Sequence, residues 1–219
     1  MRSEDLITQL AAGLRPVRRV WHPAKSTAVW LLLAGGVIGA AIAVFGLRHD
    51  LAQRLASGFD LPQLIAALAT GLLAAFAAFE LALPDRDQRW ALLPLPAVVA
   101  WLATMGWGCL QDLARFGPEG LRLTTSYPCL AFIAGLGVPL TMGMLWLARH
   151  AAPLRPTPVA ALGGLSAAAL ASVGLSAIHH LNAAVMVLVW HGLAVLVVTL
   201  VATFLGPRVM RAEEAAAPA

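Results

Sequence analysis

Six long apolar runs decide what this chain can become. A bilayer core about 30 Å thick, crossed at 1.5 Å per residue, takes about 20 apolar residues per helix. Backbone polar groups find no water there, so a spanning segment has to satisfy them internally, as a helix does. The runs are Ala28–Leu47, Leu64–Leu83, Ala91–Leu110, Leu130–Ala148, Pro158–Ile178 and Ala183–Leu205. Short links join them, which predicts an all-α polytopic membrane protein: one bundle of six transmembrane helices, with no separate soluble domain. Composition agrees, at 60% hydrophobic and 12% charged residues and a mean hydropathy of +0.79. That is about half the charge of a soluble globular chain. The chain divides into a tail (1–27), a membrane body (28–205) and a second tail (206–219). The first apolar run is too long and starts too late for a cleavable signal. Pro94, Pro96 and Pro139 fall inside runs and predict kinks there.

Positive charge sets the orientation. The first tail carries Arg2, Arg15, Arg18, Arg19 and Lys25, loops 84–90 and 149–157 carry two basic residues each, and the second tail carries Arg208 and Arg211. The alternate side holds Arg48, Arg54, Arg115 and Arg122. The positive-inside rule then predicts a multi-pass membrane protein with both termini in the cytoplasm. The sequence pI near 10 does not signal nucleic acid, because the positives sit in short loops rather than in a basic stripe with interleaved aromatics.

The first tail is the one substantial non-membrane stretch. Ser3 with Glu4 and Asp5 reads as a helix start, with acids where the helix dipole favours them. Leu6, Ile7, Leu10 and Leu14 follow at helical spacing, and Gly13 and Pro16 argue for a stop near residue 14. Such a helix can lie on the bilayer or present its apolar stripe to a cytoplasmic partner. Small residues at four-residue spacing in the first run (Gly35, Gly39, Ala43) and the fifth (Ala160, Gly164, Ala168, Ser172, Ser176) predict faces for close helix packing.

Signs of catalysis are scarce, so the sequence predicts no enzyme. There is no Gly-rich phosphate loop, HExxH, CxxC or GxSxG motif. Of the few ionisable residues within runs, Glu80 reads as structural, snorkelling to the surface or pairing with Arg86 or Arg89, and His191 as a hydrogen-bonded core residue. The outer surface is richer. Helix ends bring Cys109, Cys129, His49, Asp50, His179 and His180 to one side. Thiols and imidazoles are ligands for soft or borderline metals, and thiolates are what oxidants attack. No organic cofactor is called for; a metal ion at this Cys/His surface is the one inorganic group the residues allow.

The layout resembles the NrsF-like anti-sigma factors, six-helix inner-membrane proteins that hold an extracytoplasmic-function (ECF) sigma factor inactive. The matching stretches are Glu4-Asp5-Leu6-Ile7 with Pro16-Val17-Arg18-Arg19, Pro128-Cys129, the Arg149…Ala152-Pro153…Pro156 link, and Trp190-His191-Gly192-Leu193 followed by Gly206-Pro207-Arg208. The resemblance implies a sigma factor as protein partner, bound through Glu4, Asp5, Leu6, Ile7, Leu10, Leu14, Arg18 and Arg19, with lipid around the body and no direct contact with nucleic acid. It also implies outside stress sensing by cysteines. Cys129 sits where one such cysteine would be, and His180 stands where a second is usual, so a Cys129–His180 pair could hold a metal but not form a disulfide. The rival expectation is a small-solute or ion transporter, which would need a polar mid-membrane pocket containing His191.

Overall fold

The computed structural model describes residues 2–12, 20–56, 58, 60–123, 125–151, 153–179 and 184–216, with the backbone alone at 150 and 211–216. All regular structure among them is helical. The α-helices are α1 (Ser3–Ala12), α2 (Pro23–Phe45), α3 (Leu51–Ala56), α4 (Leu61–Leu81), α5 (Leu95–Phe116), α6 (Tyr127–Ala148), α7 (Pro156–Ile178) and α8 (Ala184–Ala216). Six of them, α2 and α4 to α8, are long and apolar enough to cross a membrane.

Proline marks where these helices begin. Pro23, Pro62, Pro96, Pro128 and Pro156 all stand in the first turn of their helices. The first turn has no intrahelical use for the N–H that proline lacks, and the ring presets φ. At α2 the His22 ring adds a cap, accepting a hydrogen bond from the Ala24 N–H at 3.3 Å. This moves the start of α2 ahead of the hydropathy limit at residue 28. Pro94 and Pro96 correct the sequence reading more sharply. They do not kink a continuous helix: a 3-10 turn (Gln88–Leu92) ends before Pro94, and α5 starts afresh. Pro139 and Pro207 do lie inside helices, α6 and α8. Because α8 runs on to Ala216, most of the stretch expected to be a C-terminal tail is helix.

The bundle is organised around α7. This helix packs against α8, α4, α6 and α2. Its sequence explains why: alanine, glycine and serine lie on every side, so a neighbour can approach its backbone from any direction. Ala160, Gly164, Ala168 and Ser172 are all buried. A Cβ at Gly164 would come within 2.6 Å of Ala202 Cβ, and one at Gly206 within 2.5 Å of Ala160 Cβ, so α7 and α8 touch nearly backbone to backbone. The Ser166 hydroxyl donates to the Gly71 carbonyl and ties α7 to α4. The similar stripe in α2 behaves differently: Gly35 and Gly39 face open space. What α2 buries is its first turns, Pro23, Ser26 and Thr27, with Trp30 and Ala34, and the Trp30 indole N–H donates to the Leu140 carbonyl of α6 at 3.3 Å.

Helices alternate in direction, giving the bundle two ends. The end where the chain enters α2, called here the entry end, is closed by Trp30, Phe79, Leu81, Met144, Ala148, Val159 and Met210. Glu80 is buried there, and Arg86 Nε lies 3.0 Å from its Oε2, the pairing expected of it. At the far end the Arg48 N–H donates to the Ala177 carbonyl, tying the α2–α3 link to α7.

The two glycine stripes should therefore answer differently to substitution. Gly164→Leu should lower the thermal unfolding midpoint of the purified chain strongly, at a cost of about 1–3 kcal/mol or more from overpacking. Gly35→Leu should leave it within about 0.5 kcal/mol of wild type. Thermal unfolding in detergent, followed by circular dichroism, checks both.

Candidate functional site

The far end gathers most of the polar groups singled out in the sequence. Arg48 and Asp50 form a two-point pair, Nε to Oδ1 at 2.7 Å and Nη2 to Oδ2 at 2.8 Å. The Arg48 guanidinium beside Asp50 holds its carboxyl well below the usual carboxylate range. On α3, Arg54 makes a matching two-point contact with Asp60, the residue just before α4. Each pair spans a short link, so α3 is strapped down over the ends of α4 and α7.

Beneath α3 lies a cavity of ≈ 170 Å³. Its mouth carries Arg48, Arg54, Asp60 and His179, and its depth reaches Thr104 of α5 and His191 of α8. His191 is only 3% exposed, and its Nδ1 has no hydrogen-bond partner among the described residues. The sequence led us to expect a hydrogen-bonded core histidine. The structure instead gives a buried histidine beside a void.

The two cysteines differ in burial. Cys129, in the first turn of α6, is fully buried among Ile133, Ala168, Ala171, Leu175, Ala194 and Val198. Its Sγ lies 3.0 Å from Ser126 Oγ. Cys109, on α5, is partly exposed, and both thiols are free rather than bridged. His179 follows α7 and lines the cavity mouth. His180, the other half of the expected metal pair, lies outside the described residues, as do Leu14, Arg18 and Arg19. Among the described residues no three His, Cys, Asp or Glu side chains converge as a metal site would require.

Two polar contacts at this end escaped the sequence reading. The Arg54–Asp60 pair spans a turn with Gly58 at φ 72°. Asp112, buried on α5, accepts the Ala184 N–H at 2.8 Å and so caps the start of α8. A carboxylate near the end of an apolar helix, one turn after Cys109, was the available signal. It supplies one of the four N–H partners that a helix start lacks.

At the entry end, α1 buries none of its residues. Leu6, Ile7 and Leu10 are 42%, 61% and 64% exposed, and Glu4 and Asp5 are exposed in its first turn. Ser3 is inside the helix rather than capping it; Asp5 reaches back to accept the Arg2 N–H at 3.2 Å. That is half of a capping box. Near the entry end, a groove lined by Leu83, Arg86, Gln88, Leu154 and Arg155 runs between the links before α5 and α7.

The chain is thus a helical bundle of membrane-spanning proportions, polar at its far end, with an exposed amphipathic helix on its entry tail. The chain matches the family model described as negative regulator of sigma F, NrsF, over residues 10–211, and it belongs to that family. The family name makes it a negative regulator of a sigma factor. The match takes in the whole bundle but begins within α1, after Glu4, Asp5, Leu6 and Ile7. No curated protein and no solved structure matches the chain.

Burial separates the two thiols, so a maleimide should label Cys109 readily in the folded protein and Cys129 only after denaturation. Mass spectrometry of the labelled peptides reads the difference, and equal labelling would contradict the packing around Cys129. The lowered carboxyl of Asp50 also carries a sign. A carboxylate favoured in the folded state stabilises above its unfolded pKa of about 4 and loses that contribution as pH falls. Asp50→Asn should therefore unfold at lower temperature than wild type at pH 7, and the gap should narrow as pH drops through 4.

Proposed function

We propose that this chain is a membrane-bound anti-sigma factor. It sequesters an ECF sigma factor at the cytoplasmic face of the bacterial inner membrane and releases it when a metal or oxidative stress acts outside. The observation that carries the reading is α1: an amphipathic helix with no buried residue, whose Leu6, Ile7 and Leu10 are all exposed. An apolar stripe left bare on a tethered helix suits a helix-in-groove contact. Glu4 and Asp5 would meet a basic sigma surface, with Leu14, Arg18 and Arg19 extending the contact. Arg86, Arg89, Arg149 and Arg155, in the links at the entry end, would complete the platform. The bias of Lys and Arg toward that end supports a cytoplasmic placement.

The signal would enter at the opposite end, through Cys129 and Cys109 with His179 and His180, and a metal would be held by Cys129 and His180. Chemistry at Cys129 would act directly on packing, because its neighbours belong to α6, α7 and α8. A tenfold change in sigma occupancy needs only about 1.4 kcal/mol of coupling. The transporter alternative has one point in its favour, the cavity at His191. It lacks a continuation, because the cluster that includes Ile133, Ala194 and Val198 is apolar.

Co-expression with an ECF sigma factor and co-purification tests the binding. The full chain should retain the sigma factor, and deletion of residues 1–20 should abolish this. Leu6→Asp with Leu10→Asp should weaken retention at least tenfold; undiminished retention would sink the role of α1. For sensing, Cys129→Ser should blunt induction of the sigma regulon by cadmium or diamide. Solute uptake by proteoliposomes of the purified chain would favour the transporter.

A further inference from the structure

The cavity under α3 lies at the end of the bundle opposite α1, and its features define a ligand. Its volume of ≈ 170 Å³ is close to the roughly 150 Å³ at which an apolar protein cavity accepts benzene. Much of its wall is apolar: Leu51, Leu55 and Leu64, Trp107 of α5, and Val173 and Val187 facing from α7 and α8. At the cavity, His191 Nδ1 is buried with no hydrogen-bond partner among the described residues. A buried polar atom left without a partner is costly, and a guest that supplies one removes that cost.

Charge narrows the guest further. The two guanidinium groups at the mouth are each bound at two points by a carboxylate, Arg48 by Asp50 and Arg54 by Asp60. An anion or cation would have to break one of these pairs to be neutralised in turn. A neutral molecule enters without disturbing them. We infer that the cavity is a binding site for a small neutral aromatic molecule of benzene size carrying one hydroxyl or carbonyl, with His191 Nδ1 as its hydrogen-bond partner. Either group suits the imidazole, whose Nδ1 donates in one tautomer and accepts in the other. The site joins α3, α4, α5, α7 and α8, so an occupant touches most of the far end at once.

The test uses the full chain in lipid nanodiscs, titrated with phenol, toluene and benzoate by calorimetry, with empty nanodiscs subtracted. Phenol should bind saturably, one per chain, and roughly tenfold more tightly than toluene, which has the same shape without the hydroxyl. Benzoate should bind more weakly than phenol. His191→Leu should erase the preference of phenol over toluene. Val187→Trp, which fills the cavity while keeping the histidine at 191, should abolish saturable binding of both. Uptake no greater than that of empty nanodiscs overturns the site. A phenol preference that survives His191→Leu overturns the role of His191, and benzoate binding as tightly as phenol overturns neutrality. Should His191→Leu fail to fold, the wild-type ratio and Val187→Trp still decide the matter.

Discussion

Everything in this bundle hangs on how closely other backbones can approach α7. In a membrane there is no water to drive helices together, so association rests on packing and on a few interhelical hydrogen bonds. α7 meets that constraint with alanine, glycine and serine on all sides, and buries more of itself than any other spanning helix. The near-contact of Gly164 with Ala202, and the bond from Ser166 to α4, follow from the same smallness. The peripheral helices can then be bulky and lipid-facing, as α2 is with Leu32, Val44 and Phe45. One thin helix at the centre lets α8, α4, α6 and α2 share a single partner.

Helix number and class were legible because hydropathy over 20 residues is a strong, cumulative signal. Helix starts were misread because hydropathy ignores backbone chemistry. Proline in a first turn is a start signal, and Pro23, Pro62, Pro96, Pro128 and Pro156 say so together. Small-residue spacing was legible in kind but not in place. The stripes of α2 and α7 look alike, and only a third partner decides which one is used. At the far end, Glu80-style reasoning from cost would have found Asp112, since a carboxylate in an apolar helix needs a partner somewhere. His191 could not be read from the sequence. Whether a buried imidazole is satisfied depends on which side chains are missing around it, and an absence of atoms leaves no motif.

The two ends differ in how they hold polarity. At the far end it is locked in pairs and caps: Arg48 with Asp50, Arg54 with Asp60, Asp112 with the start of α8. At the entry end, apart from the pairing of buried Glu80 with exposed Arg86, it is spread over exposed links and a helix with no buried residue. The locked end suits a device whose packing shifts only for a definite event. The loose end suits one that must accept a surface from elsewhere.

Ten residues of chain separate Ala12 from Pro23. Fully extended, they reach at most about 33–36 Å. Whatever α1 holds is thus confined to a small volume beside the bundle, at an effective concentration in the millimolar range. If the proposed partner also met the Arg86 and Arg155 links, contacts too weak to count between free molecules would become significant within that volume. Such two-point attachment is also fragile in a useful way. Loss of the weaker contact returns the stronger one to its own modest affinity, and dissociation follows without α1 itself having changed.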